Sequence, residues 1–442
     1  MSGRHASRGR RRVPTAEDRL RSLGEQIPAL DDELANATAK SRARRVLLRG
    51  LGIVLAVAVV SLIGAQWFRP IPRPFFRATL VGSIRLSGTA PSLSWPKGGS
   101  SALSVAKGAS LGRSGSPSPL PIANIADVLT AYVVLNQHPL GGSNNGPTIR
   151  VTSSVVAAYR AGSAEQEAEI PVKLGESLSE RQALEGMLIA NGNDMATLLA
   201  DWDAGSISAF VTEMNATARS LGLTSTHVSN LSGLGAAALS TPSDLISLGE
   251  AATAVPGFAQ IVAMPQVSLP FTGTAYNLDA NLGTDGFVGI KTGNNSAGGC
   301  YLFEADKSVD GQSLVLVGAV LGQVSQTPTT TSLDAADVLV RDAFAHATKF
   351  AHILSPGAVV GRINVPWGKS IPVTAPNSPG VVAWPGLMVP YVAHIESLPS
   401  DFPPGTRIGA FSVVLGSQHL EIPLYAPKEL NGPSLWWRLT RI

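Results

Sequence analysis

An uncharged run divides the chain. Residues 50–68, GLGIVLAVAVVSLIGAQWF, contain no Asp, Glu, Lys or Arg and approach the length that a bilayer core requires. Arg42, Arg44, Arg45 and Arg49 precede the run, and Trp67 and Phe68 close it as an aromatic boundary. The positive-inside rule then predicts a single span with a cytoplasmic tail over 1–49 and everything after residue 70 outside. A cleaved signal peptide is the competing reading, but the tail is long for one and no small-residue cleavage site follows. Within the tail, AEDRLRSLGEQIPALDDELANA is the one candidate for an ordered, amphipathic helix, but the preferred reading is a mostly solvated tail. Residues 69–100 open with RPIPRPF and continue in Gly, Ser and Pro, which predicts a spacer between membrane and domain.

Beyond the spacer the periodicity changes repeatedly. SSALSVAKGASLGRSG reads as a strand followed by a Gly/Ser hairpin or loop. PLPIANIADVLTAYVVL carries Ile125, Val128, Leu129, Tyr132 and Val133 at helical spacing, with Pro121 setting up the entry. LSERQALEGMLIAN begins with a Ser179-x-x-Gln182 capping box. NDMATLLADW and SISAFVTEMNATARSLG follow as helices, the second closing at Gly222, and STPSDLISLGEAATA has Thr241 as N-cap and Pro242 at the first helical position. GFVGIKTG, GGCYLFEA and SLVLVGAVLG then alternate as strands before SLDAADVLVRDAFAHATKF, a closing helix. Helices in the middle and a late strand meander predict an α+β domain over 101–350, with helices packed on an antiparallel sheet. Over 351–442 the helical period disappears, and short apolar runs separated by Pro and Gly predict a small all-β domain ending in PSLWWRLTRI.

Composition adds three constraints. With 44% apolar and 15% charged residues, the 442-residue chain can fill a large core, which excludes overall disorder. The net charge of +3 reflects a tail holding Arg4, Arg8, Arg10, Arg11, Arg12, Arg19, Arg21 and Lys40 besides the four arginines above, so no basic surface for nucleic acid is indicated. A single cysteine, Cys300, forbids an intrachain disulfide.

The puzzle lies in PIANIADVLTAY. Asn124 and Asp127 share one face at the start of an otherwise apolar helix. Taken with EGMLIANGNDMATLLA and GIKTGNNSAGGC, this stretch resembles the serine-type D-alanyl-D-alanine carboxypeptidases of the penicillin-binding protein and serine β-lactamase superfamily, from about residue 101 to 346. LNQHPL, FVTEMNATARSLGLTSTH and LSTPSDL extend the resemblance, and the β-rich tail is similar to the C-terminal domain of these enzymes. The resemblance implies a β-lactamase/transpeptidase-like fold. It also implies a chemistry in which a helix-head serine attacks the D-Ala-D-Ala amide and a lysine one turn later handles its proton. An S-x-N loop relays a proton and holds substrate, and a K-T-G strand binds the substrate carboxylate.

Carried over residue by residue, the pattern is broken where bonds are made. Asn124 stands at the nucleophile position, Asp127 at the lysine position and Asn191 at the first position of S-x-N. Asn193, Lys291, Thr292 and Gly293 are kept, which implies retained substrate-binding groups without an intact catalytic set. An amide offers no nucleophile comparable to an activated hydroxyl, and Asn191 cannot relay a proton as serine does. Asp127 in place of lysine is expected to pair with Lys291 and remove the positive charge of the cleft.

The literal Ser104-x-x-Lys107 match falls on a predicted strand, where residues three apart point to opposite faces. The histidines beyond the tail show no paired ligand spacing, so no metal or cofactor is expected, and Cys300 reads as a packed thiol. The expected function is a membrane-anchored extracytoplasmic homologue without catalysis that binds peptidoglycan stem peptides or envelope partners in cell-wall maintenance. Two alternatives stand beside it: an envelope scaffold with an empty cleft, and an active carboxypeptidase with rearranged groups.

Overall fold

The structure, a computed structural model, describes residues 15–80, 82–231, 238–270, 272–350, 352–415 and 418–441, with the backbone alone at 18, 20, 22–37 and 39. The tail arginines Arg4, Arg8, Arg10, Arg11 and Arg12 lie outside the described residues. Contacts divide the chain into two compact units.

The first unit holds residues 1–73, 365–368 and 431–442. Helix α1 (Ala16–Phe68) is continuous, so the stretch singled out in the tail is helical and runs unbroken into the apolar segment. Its Lys40–Phe68 portion is long and apolar enough to cross a membrane, and its side chains there are exposed.

In the second unit the strands β1 (Phe75–Ala78), β2 (Ser83–Arg85), β3 (Ser100–Val105) and β4 (Ser110–Ser114) precede helix α2 (Ala126–Gln137). Helices α3 (Ser153–Ala164), α4 (Glu180–Leu188), α5 (Asn193–Ala204), α6 (Ile207–Ser220), α7 (Pro242–Thr253) and α8 (Pro256–Val262) follow. Strands β5 (Phe287–Asn295), β6 (Gly298–Val309) and β7 (Gln312–Gln323) lead to helix α9 (Pro328–Ala345). The expected α+β architecture is therefore present, as one antiparallel sheet in the order β5-β6-β7-β3-β4 with helices against it.

Alternation along β6 sends Leu302 to one face and Tyr301 and Phe303 to the other. Helix α7 reaches the first face through Gly249, where a Cβ would already stand 3.2 Å from Ile290, 3.3 Å from Leu302 and 3.4 Å from Val317. Helix α9 packs on β6 and β7. Helix α2 is apolar nearly all round because it is central: Val128, Leu129, Ala131, Val134 and Leu135 are all buried, and α4 to α8 surround it. The Ser179–Gln182 capping box closes both ways, and Thr241 caps α7 by accepting from the Asp244 N–H at 3.2 Å.

Three expectations need correction. Pro121 does not enter a helix. Leu120–Pro121 pairs as a short strand with Ala238–Ser240, and a 3-10 turn (Ala123–Ile125) carries the chain into α2. Proline tolerates such a strand because the pairing here spans only two residues. Second, the 69–100 segment is more than a spacer. Strands β8 (Ala358–Asn364), β9 (Ile371–Ala375), β10 (Met388–Ile395), β11 (Thr406–Leu415) and β12 (Gln418–Ala426) form the C-terminal sheet, whose outer strands are β1 and β2 in the order β1-β8-β9-β12-β11-β10-β2. Phe76 covers Gly361, and Ile84 and Leu86 are buried. These strands are short and set among Pro and Gly, which hides their alternation. Third, Lys107 sits in the β3–β4 hairpin at φ +52 rather than on a strand, and its N–H donates to Glu250 at 2.9 Å. The C-terminal sheet belongs to the same compact unit as the helical part, and buried Trp384 donates its indole N–H to the Ala343 carbonyl on α9.

Candidate functional site

Three local structures bring the singled-out residues together. The turn 123–125 places Asn124 at the head of α2 and Asp127 in its first turn. Ala123 is held at φ +49, a region an alanine rarely adopts. Its neighbours fix it: the Ile122 N–H donates to the Ala238 carbonyl at 3.0 Å and the Ile125 N–H to the Ile122 carbonyl at 3.1 Å. Asn191 stands between α4 and α5 at φ +57, a conformation that asparagine tolerates better than most residues. Lys291, Thr292 and Gly293 lie on β5, the outer strand of the sheet, paired with Leu302, Tyr301 and Cys300 of β6.

The side chains form two sets. In the first, the Lys291 Nζ donates to the Asn191 Oδ1 and stands 3.7 Å from the Asp127 Oδ2. That distance is within ion-pair range but beyond hydrogen-bond length, and among the described residues neither Asp127 oxygen has a hydrogen-bond partner. Both side chains are 1% exposed. Burial pushes the Asp127 carboxyl up to about 7, while the Lys291 charge pulls it back. Burial likewise lowers Lys291, against the opposing pull of Asp127. In the second set, Asn124 donates through Nδ2 to the Asn193 Oδ1 at 2.8 Å, and the Asn193 Nδ2 donates to the Glu167 Oε2 at 3.1 Å.

Glu167 escapes sequence reading because it lies in irregular chain between α3 and α4 with no periodicity to mark it. It belongs to an acidic group with Glu169 and Asp194 that lines a cavity of about 230 Å³ together with Asn193. Glu169 accepts the Asp194 N–H at 2.8 Å, and Asp194 accepts the Ile170 N–H at 3.0 Å. Burial, reinforced by Asp194, raises Glu169 to about 8; burial raises Asp194 to about 6, against the hydrogen bond from Ile170. A carboxyl with a raised folded-state pKa keeps a proton that the unfolded chain releases. Its stabilisation is complete below the unfolded value, near 4.5 for glutamate, and is lost as pH rises through about 8. The melting temperature of the detergent-solubilised chain should therefore fall between pH 5 and 8, and Glu169→Gln should flatten that slope. Glu169 is half-buried, so its share, discounted for water, is about 1 kcal/mol. An unchanged slope in the variant would remove Glu169 from this role.

Gly293 has a packing reason. A Cβ there would stand 3.0 Å from the Asn124 N, 3.2 Å from the Ala123 Cβ and 3.4 Å from the Ile125 N, all in the turn that carries Asn124. Gly293→Ala should cost about 1–3 kcal/mol by pushing the turn away, read as a lower denaturant midpoint at unchanged slope. A neutral result would mean that the turn yields freely. Ser104 and Lys107 do not meet this site, one lying on β3 and the other in its hairpin. Cys300 is buried and donates its thiol to the Pro121 carbonyl at 3.4 Å, and burial raises it to about 11.

Residues 105–323 match the family model described as D-alanyl-D-alanine carboxypeptidase. The D-alanyl-D-alanine carboxypeptidase DacB2 of Mycobacterium tuberculosis is 39% identical over 153 residues, which is 34% of this chain and 48% of that protein. DacC of Escherichia coli is 30% identical over 155 residues, covering 34% of this chain and 37% of that protein. The match thus spans less than half the length of either relative. Penicillin binding protein 5 from Haemophilus influenzae, at 18% identity and a TM-score of 0.55, aligns with 78% of this chain and 100% of its own, which is a likeness of fold. Through residues 105–323 the chain belongs to the D-alanyl-D-alanine carboxypeptidase family.

Proposed function

We propose that the chain is a membrane-anchored, extracytoplasmic carboxypeptidase homologue that performs no acyl transfer and works by binding, at the cell wall, a peptidoglycan stem peptide or an envelope protein. The observation that carries this reading is the pairing of Asp127 with Lys291 beside an Asn124 whose amide is already engaged by Asn193. Asp127, raised to about 7, has the basicity of a general base, but residue 124 gives it no hydroxyl to activate. Lys291 spends its charge on Asp127 and a hydrogen bond on Asn191, so little attraction is left for a peptide carboxylate. Ligand binding rests instead on β5, which ends the sheet and, among the described residues, pairs with a strand on one side only, the kind of edge to which an extended peptide adds, although its residues 289–293 are buried. Anchoring rests on the apolar Lys40–Phe68 helix and the arginines before it.

The test is incubation of the full-length protein in detergent with a blocked Lys-D-Ala-D-Ala tripeptide, with D-alanine release and calorimetric binding followed in parallel. The expected result is saturable binding with no D-alanine. Catalysed release would overturn the reading, and absence of both would move the ligand from stem peptide to protein partner.

A further inference from the structure

The sheet ends on opposite sides at β5 and β4. On the β4 side, β3, β4 and the head of α7 border a cavity of about 280 Å³, to whose wall Ser100, Arg113, Ser116, Ser225, Ser243 and Asp244 contribute. No residue of the Asn124–Lys291 site lines it.

Strand register decides what points into this cavity. Ala102 packs with Ile246 of α7 and with Val317. Ser100, two residues before Ala102 on β3, shares that face, and so does Arg113, which is paired across from Ala102 on β4. Ser100 is 2% exposed, and among the described residues its hydroxyl has no hydrogen-bond partner. A buried hydroxyl without a partner costs free energy, which a ligand that bonds it would recover. Gly115, at φ +83, lets the chain after β4 fold close over Ser100; a Cβ there would stand 2.7 Å from the Ser100 Cα.

The head of α7 adds a donor. Pro242 has no N–H and the Asp244 N–H goes to Thr241, so the Ser243 N–H is the donor left at the start of this 12-residue helix. Asp244 is the one carboxylate in the wall among the described residues, and it is engaged elsewhere: its Oδ2 accepts from the Ser225 N–H at 2.8 Å and from the Thr226 hydroxyl at 2.9 Å. Arg113 is exposed and takes part in none of the ion pairs among the described residues. One arginine beside one carboxylate suits a single anionic group better than a multiply charged one. The serines both donate and accept, as sugar and polyol hydroxyls do. The volume far exceeds the roughly 30 Å³ that one water occupies in the liquid, so there is room for more than a bare ion.

We infer that this cavity binds a sugar or polyol bearing one anionic group, with the Arg113 guanidinium on the anion and the Ser100 hydroxyl and Ser243 N–H as further donors. The site is independent of the Asn124–Lys291 cleft and stands whether or not that cleft holds a peptide.

Saturation-transfer NMR and calorimetry on the full-length chain in detergent test it, with glucuronate as the carboxylate probe, glycerophosphoglycerol as the phosphodiester probe and glucose as the neutral control. At least one anionic probe should bind saturably and glucose at least about tenfold more weakly; the tighter anionic probe identifies the group. Arg113→Gln should weaken binding about tenfold or more. Ser100→Ala should weaken it about three- to tenfold while leaving the melting temperature unchanged or raised, because it removes a buried hydroxyl that has no partner. Failure of both anionic probes to bind, glucose binding as tightly as they do, or wild-type affinity in Arg113→Gln would each overturn the inference. A lowered melting temperature with intact binding in Ser100→Ala would overturn the role given to Ser100.

Discussion

Asp127→Ala should destabilise the protein by about 3–5 kcal/mol, because it leaves the buried Lys291 ammonium without its counter-charge. For a domain of this size the loss corresponds to a fall in melting temperature on the order of 10 °C. The pair's mutual attraction at about 4 Å is worth about 4 kcal/mol at an effective dielectric near 20, and most of that offsets the desolvation of the two ions. Adding Lys291→Met should therefore return much of the stability, since an apolar side chain in that site needs no partner. The double variant should be more stable than Asp127→Ala alone, with a coupling of about 2 kcal/mol or more. Chemical denaturation of the four proteins measures this directly. Single-variant losses below about 1 kcal/mol would mean that the pair is hydrated and contributes as a surface pair does.

The second large effect concerns reactivity. Asn124→Ser, Asp127→Lys and Asn191→Ser together rebuild the hydroxyl, lysine and second hydroxyl that the family chemistry implies, on a helix head and loop that already hold these positions in contact with Lys291 and Asn193. The triple variant should react with fluorescent penicillin about 10³-fold faster than the parent chain, whereas Asn124→Ser alone should stay near background. Groups that act as a unit give little when restored singly. If Asn124→Ser alone matched the triple variant, Asp127 would be a working base and its pairing with Lys291 no obstacle.

How much of this was legible in sequence varied with the strength of the local signal. Capping residues at Ser179 and Thr241, the apolar spacing of α2 and the three late strands are encoded over a few residues, and the structure places them accordingly. Strands β1 and β2 depend on pairing with residues about 285–305 positions later, so no local pattern announces them. The 3-10 turn at Ala123 is fixed by Ala238 and Gly293, again distant in sequence. Asn124, Asp127, Asn191, Asn193 and Lys291 could be singled out because motif positions persist when the residues change. That Asp127 would lie 3.7 Å from Lys291, and that Asn193 would turn to Glu167, depends on how three separate segments fold against one another.

The site holds an ion pair and three hydrogen-bonded amides where acyl transfer needs a free nucleophile. The most direct test is intact-mass measurement of the full-length wild-type chain after prolonged incubation with penicillin. The predicted result is the unmodified mass. A stoichiometric gain of one penicillin, mapped to any residue of this site, would contradict it.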